Sequence, residues 1–241
     1  MTVDGLREEC LGGVMTVTFD RPNARNALTL AMRRRLEELC ATVDQDEGVQ
    51  VVVITGTDPA FCAGADVKEI AALGASLTPT DPGAAIRSVA KPVIGAVNGP
   101  CITGGLEIAL SCDFLIASDH ARFADTHARL GVLPRWGMSA LLPRAVGVRR
   151  AKELSATGVV IDAAEAHRIG LVNHVVPHDQ LGQRLDELIQ GVLQSKSDAV
   201  AATFGLYEEG QSLSQAEALK LEARRCSEWV VDLTDFGSGA Q

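Results

Sequence analysis

The chain has 241 residues, 46% of them hydrophobic and 4% aromatic, and a formal net charge of -9. That length and apolar content suit one sizeable core with an appended subdomain, and the acidic balance argues against nucleic acid as the main partner. No apolar run is long enough to span a bilayer, and the opening Met1-Thr2-Val3-Asp4-Gly5 has no signal-peptide pattern. Cys10, Cys40, Cys62, Cys101, Cys112 and Cys226 form no Cys-x-x-Cys pair, so a cytoplasmic protein with reduced thiols is expected.

Val14-Met15-Thr16-Val17-Thr18-Phe19 alternates with period two and predicts a strand, ended by Asp20-Arg21-Pro22-Asn23. Thr29 is placed to cap a helix whose apolar face is Met32, Leu36, Leu39 and Val43. Arg33-Arg34-Arg35 is expected on its solvated side. Val51 to Ile54 reads as a buried parallel strand, 66–73 as a helix, and Leu73 to Pro82 as a flexible surface loop. Two further buried strands follow, Pro92–Val97 and Phe114–Ala117. This alternation of strand and helix predicts an α/β class with crossovers.

From about Gly137 the pattern is almost entirely helical. Asp162 with Glu165, and Ser214 with Glu217, have capping-box spacing. Leu181, Leu185, Leu188 and Val192 form one apolar stripe; Leu213, Ala216 and Leu219 form another. Helices so far from a sheet need another surface to bury against, such as a neighbouring subunit.

The chemistry concentrates in Asn98-Gly99-Pro100-Cys101-Ile102-Thr103-Gly104-Gly105-Leu106-Glu107. Two glycines admit a ligand close to the backbone, the first helical turn offers unclaimed N–H groups, and Glu107 sits beside them. That pattern predicts an oxyanion-binding site with an acid/base next to it. Three other chemistries are excluded. Gly137-Met138-Ser139-Ala140-Leu141 lacks the second glycine of a nucleophile elbow, Pro177 separates His174 from His178 and argues against a zinc pair, and no dinucleotide or P-loop glycine spacing occurs.

Together with Arg21-Pro22-Asn23-Ala24-Arg25-Asn26-Ala27-Leu28 and Phe61-Cys62-Ala63-Gly64-Ala65-Asp66-Val67-Lys68-Glu69, the glycine turn closely resembles the crotonase (enoyl-CoA hydratase/isomerase) family, from about residue 3 to about residue 230. The resemblance implies an α/β, crotonase-like spiral of ββα units over 1–180 and a C-terminal helical oligomerisation segment over 181–241. It implies a homotrimer or dimer of trimers. The ligand it implies is an acyl-CoA thioester, with coenzyme A part of the substrate and neither cofactor nor metal required. In the family the N–H groups at Ala65 and Gly104 form the oxyanion hole, and Glu107 matches the first of two catalytic glutamates. Arg25, Ala63, Asp66, Val67, Lys68 and Gly105 lie in motifs that contact the substrate or its coenzyme A.

Two departures stand out. In Phe123-Ala124-Asp125-Thr126-His127-Ala128-Arg129-Leu130-Gly131, His127 falls where hydratases carry the second glutamate, while Asp125, two residues earlier, is a candidate second carboxylate that points less directly at the site. A histidine there could hold a water, deliver a proton or only donate a hydrogen bond. In Leu133-Pro134-Arg135-Trp136-Gly137, Arg135 and Trp136 replace the glycine usual after the proline and add bulk and charge at the acyl end. Set against the family pattern, the run Trp229–Phe236 ending at Gln241 is expected to fall short of the C-terminal helix that in family members often carries coenzyme contacts to a neighbouring subunit. Three readings follow: a hydratase-type lyase acting on 2-enoyl-CoA thioesters, an enoyl-CoA isomerase with Glu107 as its single base, or a catalytically silent acyl-CoA-binding protein.

Overall fold

The computed structural model of the chain describes Thr2, Val3 and residues 5–73 and 80–231. Two compact units divide it, 1–197 and 198–241. Among the described residues the first unit holds a seven-stranded sheet in the spatial order β1 (Thr2–Val3), β2 (Leu6–Leu11), β3 (Val14–Phe19), β4 (Val51–Gly56), β5 (Val93–Val97), β7 (Phe114–Ser118) and β10 (His174–Val176). β1, β2 and β3 pair antiparallel; every pair from β3 onward is parallel, with helices in the crossovers. A second, three-stranded sheet joins β6 (Pro100–Ile102), β8 (Arg122–Ala124) and β9 (Ile161–Asp162).

The parallel strands are apolar on both faces because both faces are covered. Val52, Ile54 and Val93 face a large core that includes Met32, Leu36, Leu39 and Val43 of α1 (Leu30–Val43). Thr29 caps α1 by accepting from Met32 N. Val51, Val53, Ile94 and Ile116 face the other way and are closed over by Leu181 and Ile189 of α9 (Leu181–Leu193), with Leu185, Leu188 and Val192 packed alongside. That packing puts α9 in the first unit, so the division falls after residue 197 and not after 180. The described part of the second unit is α10 (Ser197–Gly210) and α11 (Gln215–Glu228), the latter opened by the reciprocal Ser214–Glu217 capping box.

Several expectations need correction. Arg33 is not on a solvated face: it is 6% exposed, and its guanidinium lies 5.8 Å from the centre of the Trp136 ring. Leu221, outside the expected second stripe, is the buried residue of α11, whereas Leu219 is 59% exposed. Asp162 does cap α8 (Ala163–Arg168), but Glu165 pairs with Arg168 and Arg150, so the box is not reciprocal. Most of the loop expected at Leu73–Pro82 lies outside the described residues. A short helix, α3 (Pro82–Arg87), begins directly after it, capped by Asp81.

Candidate active site

Glu107 lies in the first turn of α4 (Gly104–Leu110), directly after β6. The turn is pinned at Thr103, whose backbone has φ 55° and ψ -110°. Positive φ costs a non-glycine residue about 1–3 kcal/mol, so other bonds must hold it. Thr103 N donates to Ala124 O at 2.8 Å, its carbonyl accepts from Glu107 N at 3.0 Å, and its hydroxyl bonds that of Thr126. β6 and β8 run parallel with Cys101 opposite Phe123 and Ile102 opposite Ala124. The residues leaving the two strands, 103–107 and 125–127, are therefore neighbours.

On the other side of β6, Cys62 N donates to Pro100 O at 3.1 Å and Ile102 N to Cys62 O at 2.9 Å. Residues 61–65 thus lie along the same strand, and Ala63 N donates to Arg25 O at 3.0 Å. Gly64, at φ +96°, turns this segment at the glycine pair: a methyl group on Gly64 would stand 3.2 Å from Gly104 N, and one on Gly104 would stand 3.3 Å from Ala65 N. Among the described residues, neither Ala65 N–H nor Gly104 N–H has a protein acceptor. Two adjacent free N–H groups at a helix start are what an oxyanion requires. Gly105 serves packing, since a methyl group there would fall 2.1 Å from Cys62 O.

Glu107 is 2% exposed and both its oxygens are engaged. Oε1 accepts from Trp136 N at 2.8 Å and from Met138 N at 3.2 Å. Oε2 lies 3.4 Å from His127 Nε2. The other ring nitrogen, Nδ1, is 2.7 Å from Asp125 Oδ1, and that oxygen also accepts from His127 N at 3.1 Å. Burial works against a charged ring, but the bonds to Asp125 and Glu107 and their charges outweigh it, so the His127 pKa is pushed up to about 9. Burial by itself would raise the Asp125 carboxyl; bonds from His127 and Ser155 reverse this and hold it below its ordinary value. At neutral pH the site therefore presents an imidazolium between two carboxyl side chains.

Glu107, His127, Ala65 and Gly104, expected together from the sequence, are neighbours, and Asp125, expected to point less directly at the site, joins them through His127. The position of Asp125 behind the ring comes from the turn after β8, which the local pattern does not disclose. Trp136 is likewise built into the site. Its backbone N holds Glu107, its carbonyl accepts from Arg87 Nη1, its Nε1 donates to Thr80 O, and its Cζ3 would touch a methyl group on Gly104 at 2.7 Å. Arg135 turns outward, exposed and without an ion pair among the described residues.

Asp66 spends its carboxylate on Arg21 Nη1 at 2.9 Å and on the N–H groups of Lys68 and Glu69, as a cap of α2 (Val67–Leu73). Arg25, Val67 and Lys68 are exposed, and neither cation has an ion pair among the described residues. The nearby Cys62 is no nucleophile: burial pushes its thiol up to about 12.

A model of the "Enoyl-CoA hydratase/isomerase" family matches residues 9–233. The chain belongs to this family. It is 37% identical over 226 residues to the Arabidopsis thaliana protein named "Probable enoyl-CoA hydratase 1, peroxisomal", covering 92% of this chain and 85% of that one. It is 36% identical over 217 residues to the crotonyl-CoA hydratase of Syntrophomonas wolfei, covering 85% and 82%. The solved enoyl-CoA hydratase from Mycobacterium tuberculosis H37Rv superposes with a TM-score of 0.80 at 44% identity, covering 93% of this chain and 98% of that one. The fold is thus the α/β crotonase fold. Among the described residues of this family member, no helix is long and apolar enough to cross a membrane.

Proposed function

We propose that this family member is an enoyl-CoA hydratase-type lyase acting on 2-enoyl-CoA thioesters. The observation that carries the reading is Glu107 Oε2 facing His127 Nε2 at 3.4 Å beside the two unclaimed N–H groups of Ala65 and Gly104. The thioester carbonyl accepts from those two N–H groups, which stabilise negative charge as it develops on the oxygen; each such donor is worth about 3–4 kcal/mol in the transition state. A water lies between Glu107 and His127. Its oxygen bonds to C3 while Glu107 takes its proton, and the enolate formed takes the Nε2 proton of His127 at C2. Glu107 then returns its proton to His127 across the 3.4 Å gap, so that one water has been added and the site is restored.

Arg25 and Lys68 are assigned to the coenzyme phosphates, being exposed cations next to the Ala65 segment. A homotrimer or dimer of trimers is assigned through the second unit, where Tyr207, Leu219 and Val230 are exposed. A reducing, cytoplasmic setting is assigned from the six free thiols.

Product analysis on 2-enoyl and 3-enoyl thioesters tests the reaction. A 3-hydroxyacyl product from the 2-enoyl substrate supports the lyase. Double-bond migration without water addition would make Glu107 the single base of an isomerase instead, and binding with no turnover would make the protein an acyl-CoA binder. Glu107→Gln is expected to lower kcat by about 10²–10⁴.

A further inference from the structure

We propose that Asp125 is a positioning residue for the reaction: by holding His127 Nδ1 it fixes the imidazole so that Nε2, and the proton it carries, face Glu107 and the reacting carbons. This inference rests on the reading of His127 as the second acid–base group of the site. The geometry is specific. One carboxylate oxygen, Asp125 Oδ1, engages both the ring at 2.7 Å and the His127 backbone N–H at 3.1 Å, so side chain and main chain are set by a single acceptor. Asp125 is 3% exposed and His127 8%, so both bonds are made in the protein interior. Among the described residues, the charged groups acting on the ring are Glu107 from α4 and Asp125 from the turn after β8; α7 (Val148–Thr157) brings the Ser155 hydroxyl to the Asp125 side.

The arrangement also decides which tautomer forms. When the imidazolium gives its Nε2 proton to C2, the proton left on the neutral ring stays on Nδ1, where Asp125 accepts from it. Nε2 then carries a lone pair aimed at Glu107 Oε2, the group holding the proton taken from water. Reprotonation returns the ring to its starting state with no rotation. An amide in place of Asp125 can donate to Nδ1, which would put the neutral ring's proton on Nε2 and block that return. Asp125 touches neither substrate nor reacting atoms; it acts through His127.

The test compares the full-length parent with Asp125→Asn and Asp125→Glu. Nitrogen NMR of the His127 side chain, assigned by its loss in His127→Gln, reads the dyad without any turnover. In the parent it is expected to report an imidazolium through neutral pH that titrates at about 9, leaving the proton on Nδ1. In Asp125→Asn the titration is expected to move down by about one pH unit or more. On crotonyl-CoA, kcat is expected to fall about tenfold or more with KM little changed, its high-pH limb is expected to move in the same direction, and Asp125→Glu is expected to restore part of both. An Asp125→Asn enzyme with the parent's kcat and pH profile would overturn the proposal. So would a parent ring that titrates near 6.5 or keeps its neutral proton on Nε2, and this holds even if the variants fail to fold. If the parent hydrates nothing while its ring behaves as stated, the functional reading falls and the dyad stands.

Discussion

Trp136 illustrates how one side chain can limit a site that its own backbone helps to build. Its N–H holds the carboxylate of Glu107, its carbonyl and indole N–H are tied to Arg87 and Thr80, and the Arg33 guanidinium covers its ring. An indole held by Thr80 at its N–H and covered by Arg33 does not swing aside readily, and its Cζ3 edge stands against Gly104, one of the two residues proposed to hold the carbonyl. On the proposed reading, the acyl group of a bound thioester passes this indole. Trp136→Leu is expected to raise kcat/KM for an eight-carbon 2-enoyl thioester relative to the four-carbon one by about tenfold or more, as measured by paired progress curves. An unchanged ratio would remove Trp136 from substrate selection. That a bulky Trp136 stands near the glycine turn was readable from its place after Leu133-Pro134-Arg135. That Arg33 would leave solvent to cover it was not, because a charged triplet on a helix gives no sign of which member turns inward. The bond from His127 to Asp125 was hidden for a similar reason: two residues before a histidine is a place a carboxylate occupies in many turns.

At the scale of elements, the site depends on α4 approaching the 61–65 segment more closely than a side chain would allow. Gly105→Ala would set a methyl group 2.1 Å from Cys62 O, a backbone atom that cannot rotate away. Such overpacking is expected to cost about 1–3 kcal/mol or more, seen as a lower denaturant midpoint with an unchanged slope. Activity is expected to fall with it, because the same shift separates Gly104 from Ala65. The strands that frame this contact were legible where apolar residues run together: β3, β4, β5 and β7 all lie where the sequence put them. β2 was missed because Leu6-Arg7-Glu8-Glu9-Cys10-Leu11 is too polar to read as a strand alone. The Gly12-Gly13 turn between Leu11 and Val14, both glycines at positive φ, was the available signal for a tight hairpin. β9 and β10 are two and three residues long and are set by pairing with β8 and β7, so no local periodicity could announce them.

On the scale of the whole molecule, the first unit closes both faces of its sheet from within, with α1 over one face and α9 over the other. The second unit is different in character: Leu221 is the buried residue of α11, while Tyr207, Leu219, Val230 and Val231 are all exposed. Apolar exposure of that kind is expected to be relieved between subunits, and sedimentation equilibrium should give three or six copies per particle. A monomer at micromolar concentration would contradict this. The Ser214–Glu217 capping box marked α11 in the sequence, but the stripe residues beside it could not reveal which of them a neighbour must cover. On the proposed function, Glu107 and His127 add water across an enoyl thioester held by Ala65 and Gly104. The most direct test is turnover of crotonyl-CoA in heavy-oxygen water, followed by mass spectrometry of the product. The expected product is a 3-hydroxybutyryl thioester carrying one heavy oxygen at C3, formed by the parent and suppressed about 10²–10⁴-fold in Glu107→Gln. Equal incorporation by Glu107→Gln, or none by the parent while it still binds the thioester, would contradict it.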